Sequence, residues 1–494
     1  MMEYIVAFLY TAALLYIFLF SLSQLHLTWH YLKRKNTPSE HPQLDLSDTP
    51  RVTVQLPIFN ELYVVERLID AVAKFNYPLG KLEIQVLDDS TDKTTELISE
   101  KVKSLRAQGL DITHIRRDDR SGFKAGALQY GLKRAKGEFL AIFDADFLPK
   151  PDFILKTLPY FKEPNIGMVQ TRWGHVNKDY SMLTRLQAFG LDAHFSIEQK
   201  GRSNAGSLIN FNGTAGVWRK ACIEQSGGWS ADTLTEDLDL SYRAQLKGWN
   251  FKYLEDVVAP AELPVLMPAV KSQQYRWNKG AAETAKKNLS NILHSGWSFT
   301  KKSHAFFHLF NSSVFVSLLA AALLSIPMLF IKNTYPEFNK IFNLGSIFLL
   351  GFFSITYFYW VANKQVVLVK PRRYFFRIFP AFLTISMGLS LHNTIAVLEG
   401  FFGLKSPFIR TPKFDIRHSK DQLRKNIYIK NQVTFSTWLE GLLSLYFAFG
   451  ILAGIYLGDL GLVIFHVMLC LGFASVFYQS VKTVKYASVK SKVK

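Results

Sequence analysis

Between residues 51 and about 260, short apolar runs alternate with stretches that repeat apolar side chains at helical spacing. Residues 51–57 precede the helical pattern 61–75, 82–87 precede 92–107, and 111–116 precede 124–135, with 138–143 closing the series. Strand followed by helix in this rhythm predicts an α/β unit with a doubly wound, mostly parallel sheet. Ligands of such sheets bind outside the carboxyl ends of the strands. The chain turns polar at those ends, with Asn60-Glu61, Asp88-Asp89 and Asp144-Ala145-Asp146.

The remaining apolar runs are longer. Residues 4–22 can cross a hydrocarbon core of ~30 Å. Glu3 precedes this run, and Lys33, Arg34 and Lys35 follow it. That order is the reverse of a secretory signal peptide and predicts an uncleaved anchor with the following chain in the cytoplasm. Residues 265–300 mix Arg276, Lys279, Lys286 and Lys287 with Trp277, Leu289 and Trp297, a composition suited to interfacial helices. Further apolar runs fall at 305–331, 341–361, 378–402, 437–457 and 460–481. The loops 364–373 and 405–430 and the tail 482–494 are strongly basic, whereas those near 332–340 and 458–461 are nearly neutral. This positive-inside pattern closes if one run does not span. The run 378–402 contains His392, Asn393 and Glu399, costly at bilayer depth, and is expected to be interfacial or re-entrant. The expected division is an anchor at 1–30, an α/β domain at 45–265, interfacial helices at 266–304 and a membrane region at 305–494. About five spans result, with the C-terminus cytoplasmic.

Composition narrows the partners. The chain is 49% hydrophobic yet carries a formal net charge of +19. Its Lys and Arg clusters flank apolar runs, which favours membrane lipids and phosphate-bearing substrates over nucleic acid, which is not an expected partner. Cys222 and Cys470 form neither a disulfide framework nor a zinc spacing.

Several motifs carry candidate chemistry. Asp144 and Asp146, at i and i+2 where a strand opens into a loop, can share a hydrated Mg²⁺ or Mn²⁺, although Asp-x-Asp is also frequent in solvated turns. Asp88-Asp89-Ser90 can recognise a nucleotide, cap the following helix, or do both. The stretch Arg120-Ser-Gly-Phe-Lys124-Ala-Gly126 is either an ordinary glycine turn or a close backbone approach with Lys124 as a point charge for phosphate. In Thr235-Glu236-Asp237, Asp237 is the candidate general base, while acidic residues also suit a helix N-terminus electrostatically. Gln273, Arg276 and Trp277 fall on neighbouring helix faces. They offer a bidentate cation and a stacking surface for a sugar, or a membrane-interface Trp with a snorkelling Arg. His194 and Glu198, four apart without an apparent third ligand, are expected to be structural.

Taken in order behind a membrane anchor, Asp88-Asp89, Asp144-Ala-Asp146, Thr235-Glu-Asp237 and Gln273-x-x-Arg276-Trp277 resemble family 2 glycosyltransferases of the cellulose synthase type, above all the cellulose synthase-like glucan and mannan synthases. Val86-Leu-Asp-Asp-Ser90, Lys124-Ala-Gly-Ala-Leu128, Asp192-Ala-His-Phe195 and Phe211-Asn-Gly-Thr-Ala215 extend the likeness over most of 50–280. Phe408-Ile-Arg-Thr411-Pro-Lys413 is similar to that family's gating loop, here 405–415, with Arg410 where the family has Val. Asn212 stands where bacterial cellulose synthases usually carry Cys beneath the acceptor.

The resemblance implies a GT-A fold and a cytoplasmic, inverting hexosyltransferase of the inner or plasma membrane. It assigns the donor nucleotide to Asp88, Asp89, Lys124 and Asp144, and a Mg²⁺ or Mn²⁺ ion to Asp144 and Asp146. Asp237 becomes the base. Gln273, Arg276, Trp277 and Glu236 meet the acceptor and diphosphate, and Phe408, Thr411 and Lys413 close over the nucleotide. UDP-glucose or GDP-mannose is the expected donor, a glycan the acceptor, and a β-linked glucan or mannan the product, with an envelope export partner to carry it onward. The alternative is a non-processive enzyme adding one sugar to a ceramide or polyprenyl-phosphate lipid.

Overall fold

A computed structural model describes residues 1–34, 42–45, 49–338, 345–406, 410–418, 420–423, 426–429 and 433–489. The chain opens with α1 (Met2–Lys33). It then alternates β1 (Val52–Ile58), α2 (Val65–Ala73), β2 (Leu82–Asp88), α3 (Thr94–Ala107), β3 (Asp111–Arg116), α4 (Phe123–Leu132) and β4 (Phe139–Ile142). These are the strands and helices the apolar periodicity predicts, with ends shifted by a few residues at most. The next stretch holds α5 (Phe153–Thr157), β5 (Ile166–His175), α6 (Met182–Ala193), a π-helical turn (His194–Gln199) and α7 (Lys200–Asn204). β6 (Gly216–Arg219), α8 (Lys220–Gln225), α9 (Glu236–Leu246) and β7 (Asn250–Ala261) complete the domain.

The seven strands form one sheet in the order β3-β2-β1-β4-β6-β5-β7. β1 to β4 pair in parallel, β6 runs antiparallel to both β4 and β5, and β5 pairs in parallel with β7. Successive side chains on a strand face opposite sides, so two apolar layers form. Val52, Val54 and Leu56 of β1 pack with Leu68 and Val72 of α2 and Ile98 of α3. On the other face Leu140 and Ile142 of β4 meet Leu128 of α4, Ile223 of α8 and Leu240 of α9. With the strands buried on both faces, their polar ends are the natural opening of the domain.

Beyond the sheet lie α10 (Met267–His294), α11 (Phe299–Leu309), α12 (Val314–Thr334), α13 (Leu349–Val366), α14 (Pro371–Gly388), α15 (Ser390–Phe402), α16 (Phe435–Tyr456) and α17 (Val463–Val489). Four described helices are long and apolar enough to cross a membrane: Met2–Lys33, Asn311–Thr334, Phe435–Tyr456 and Val463–Thr483. α14 and α15 are bent by 51° against each other and make a fifth if the pair is one span. That bend falls inside the run 378–402 read as interfacial or re-entrant. The run 341–361, expected to span, is not among the four. Residues 341–344 lie outside the described ones, and α13 ends in Asn363-Lys364-Gln365, which dilutes its apolar character. Gly388 and Gly472 bring α14 and α17 into backbone contact, since a methyl on Gly388 would collide with the carbonyl of Gly472. Small residues at such a crossing are how membrane helices pack closely.

Candidate active site

One cavity opens at the carboxyl ends of β1 and β4 and the N-terminus of α9. It is roofed by α10 and by the segment that starts at Arg410. Asp89, Lys124, Asp144, Asp146, Glu236, Asp237, Gln273, Arg276, Trp277, Thr411 and Lys413 all line it. The motifs read as separate signals therefore share one chamber. Phe408 lies outside the described residues.

Asp88 does not reach the cavity. Its carboxylate is fully buried behind the strand end, where it accepts from Ser90 N at 2.8 Å and lies 2.9 Å from His114 Nε2. Burial pushes this carboxyl up, but the hydrogen bonds from His114 and Ser90 outweigh it and hold it below its usual range. Adjacent residues at a strand end point opposite ways, so Asp89 alone faces the chamber, held by Arg117 Nε at 2.9 Å.

The two carboxylates after β4 are each matched by a lysine. Lys124 Nζ is 2.6 Å from Asp144 Oδ1 and donates to Gly213 O at 2.9 Å. Burial alone would lower the Lys124 pKa, but Asp144 and Glu236 carry it above its ordinary value. Lys413 Nζ lies 2.5 Å from Asp146 Oδ2. Asp144 N donates to the Thr214 hydroxyl oxygen at 2.9 Å, which fixes the loop that presents both acids.

Asp237 stands in the first turn of α9, where Leu238 N donates to its Oδ1 at 2.8 Å. Burial, reinforced by the charge of Glu236 beside it, pushes its carboxyl from 3.8 up to about 7. A carboxylate so poised can take a proton near neutral pH. Gly213 passes close by with φ +80°, and a methyl there would sit 3.0 Å from Asp237 Oδ2. Only glycine suits both that backbone and that approach.

From α10, Arg276 Nη2 donates to Thr411 Oγ1 at 3.0 Å, and the Trp277 ring lies 6.5 Å from that of Trp173 on β5. The segment from Arg410 is fastened to the domain by charge. Arg410 Nη2 meets Glu61 Oε2 at 2.7 Å, and Arg67 joins Glu262 at 2.8 Å and Asp415 at 2.5 Å. Its approach is anchored by Lys279, which donates to Ser406 Oγ at 2.9 Å and pairs with Glu399 at 3.2 Å. Glu61 and Glu262 at the cavity wall, and Arg67 behind them, are ion-pair positions the motifs did not identify. Glu61 had a signal, since it follows a strand end, and burial pushes its carboxyl up to about 7. Arg67 and Glu262 had none.

A parallel-led sheet with paired acids at its opening, a buried carboxyl on a nearby helix and a basic segment, the flap, above them is the architecture of a nucleotide-sugar transferase. Residues 50–280 match Glycosyltransferase like family 2, so the chain carries a domain of that family. It is 40% identical over 351 residues to "Probable glucomannan 4-beta-mannosyltransferase 4" of Oryza sativa subsp. japonica, covering 66% of this chain and 62% of the relative. It is 43% identical over 251 residues to "Glucomannan 4-beta-mannosyltransferase 7" of Arabidopsis thaliana, covering 50% of this chain and 45% of that protein. The matched part thus takes in about half to three-fifths of these relatives' length. Among solved structures, the mannosyltransferase PcManGT from Pyrobaculum calidifontis, in complex with GDP-Man and Mn²⁺, superposes with a TM-score of 0.56 at 20% identity, covering 82% of this chain and all of that one. That likeness establishes the GT-A fold, here joined to helices of membrane-spanning length.

Proposed function

We propose that the chain is an inverting hexosyltransferase that adds β-linked mannosyl residues from GDP-mannose to a growing mannan-type polysaccharide at the cytoplasmic face of a membrane. The observation that carries this reading is the convergence of Asp237, the Asp144/Asp146 pair and the Arg276-Trp277 face on one cavity. The relatives named as 4-beta-mannosyltransferases and the GDP-Man-bound neighbour of like fold support the choice of sugar and nucleotide.

Asp237 would accept the proton of the acceptor hydroxyl as that oxygen attacks the anomeric carbon from the side opposite the leaving diphosphate. Lys124 and Arg276 would gather the negative charge that develops on the diphosphate, Arg276 in bidentate fashion. Trp277 would hold the acceptor ring by its apolar face. Asp144 and Asp146 are hard oxygen donors at one cavity wall, and among the described residues no third His, Cys, Asp or Glu joins them. Such a pair suits Mg²⁺ or Mn²⁺ completed by water and substrate phosphate. Bound there, the ion supplies Lewis-acid neutralisation of the leaving group.

Purified protein with Mn²⁺ and radiolabelled GDP-mannose is expected to form a long product that β-mannanase degrades, and UDP-glucose alone should serve poorly. A product limited to one sugar on an extracted lipid would overturn the polymerising role. Absence of transfer from any nucleotide sugar would overturn the enzymatic reading.

A further inference from the structure

We propose that His194 positions the acceptor sugar through Asn212, with Glu198 fixing the imidazole tautomer and Gln199 fixing the amide. This rests on the glycosyltransferase reading and extends it to residues to which that reading gives no role. Asn212 lines the cavity and directly precedes Gly213, the residue that abuts Asp237. Its amide is gripped from behind at both ends. Gln199, fully buried, donates through Nε2 to Asn212 Oδ1 at 2.7 Å. Asn212 Nδ2 lies 3.1 Å from His194 Nε2, and His194 Nδ1 lies 2.6 Å from Glu198 Oε2. Arg202, itself buried, meets that same carboxylate oxygen at 3.1 Å.

A carboxylate beside Nδ1 calls for a hydrogen on Nδ1, which leaves Nε2 as a lone pair. That lone pair can only accept, so Asn212 must turn its NH₂ toward it and its oxygen toward Gln199. Reversing the amide would set oxygen against lone pair and NH₂ against NH₂. One N–H and one oxygen lone pair of Asn212 then remain for a ligand. A pyranose hydroxyl, both donor and acceptor, matches that pair, and the hydroxyl to be deprotonated by Asp237 belongs to the same ring. The histidine and glutamate come together on the π-helical turn that links α6 to α7. Such turns recur at functional sites. A side chain serving only as packing would not require three directional contacts in series.

The test uses full-length protein in detergent with GDP-mannose as donor and short manno-oligosaccharides as acceptor. His194→Ala should raise the acceptor KM about tenfold while the GDP-mannose KM and calorimetric GDP affinity stay within about twofold. His194→Gln can offer its amide oxygen to Asn212 and should restore most of the acceptor KM. Asn212→Ala should reproduce the His194→Ala effect, and combining the two should add nothing, because one residue acts through the other. The proposal fails if His194→Ala leaves the acceptor KM unchanged, weakens GDP binding equally, or adds its full effect to Asn212→Ala. Loss of all transfer by the wild-type protein would instead strike the underlying enzymatic reading.

Discussion

Replacing Asp237 by Asn should inactivate the protein and stabilise it, and the stabilisation should depend on pH. In the fold this carboxyl is pushed from 3.8 to about 7, chiefly by burial and secondarily by Glu236. The unfolded chain releases the proton near 3.8 while the folded one retains it to about 7. Folding stability therefore falls as pH rises through that window and stays low above it. The displacement corresponds to about 4 kcal/mol at full ionisation. Asparagine is neutral throughout, and its side-chain oxygen can still accept from Leu238 N. In metal-free buffer with chelator, the variant's thermal midpoint should exceed that of the wild type by several degrees at about pH 8. The gain should shrink by more than half at about pH 5. Mannosyl transfer by the variant should drop about 10²- to 10⁴-fold, and wild-type kcat/KM should climb with pH to a plateau above about 7. An equal gain at both pH values would refute the burial argument. Retained transfer would refute the assignment of the base.

Three other perturbations bear on the same architecture. Lys271→Ala strands Glu440, which is fully buried in α16 and paired with Lys271 at 2.6 Å. It should cost about 3–5 kcal/mol, read as a lower unfolding midpoint, and the Lys271→Met/Glu440→Leu pair should recover most of it. Arg67→Ala removes the tie to Glu262 and Asp415, so trypsin should cut at Arg410, Lys413 or Arg417 sooner than in the wild type. Arg276→Lys keeps the charge but loses the planar fork. It should raise the GDP-mannose KM about tenfold with the acceptor KM unchanged.

The first half of the domain was legible because each strand and helix from β1 to β4 announces itself by period, and because polar residues gather where those strands end. β5 to β7 were not. β6 has four residues, too few for a pattern, and β7 carries Lys252, Glu255, Asp256 and Pro260 along a ladder broken by a bulge. The acidic motifs fall together on one chamber, yet spacing could not tell which of Asp88 and Asp89 turns inward. That depends on the pleat at one residue and on His114 waiting behind it. The flap was the least visible part. Its described residues form no regular structure, and its seat is decided by pairs such as Lys413–Asp146 and Arg67–Asp415, hundreds of residues apart in the chain. The His194–Glu198 pair read as structural is indeed engaged internally, but its far end reaches Asn212 at the cavity wall.

Helix α10 runs unbroken for 28 residues, about 42 Å of rigid rod. Lys271 bolts its first turns to α16, a helix of membrane-spanning length, through Glu440, Arg276 and Trp277 sit a turn or two further along, and Lys279 grips the root of the flap. No hinge separates these fittings. A displacement of α16 should therefore carry the guanidinium and the indole with it as one body, so the proposed mannosyl transfer is expected to differ between bilayers of different hydrocarbon thickness.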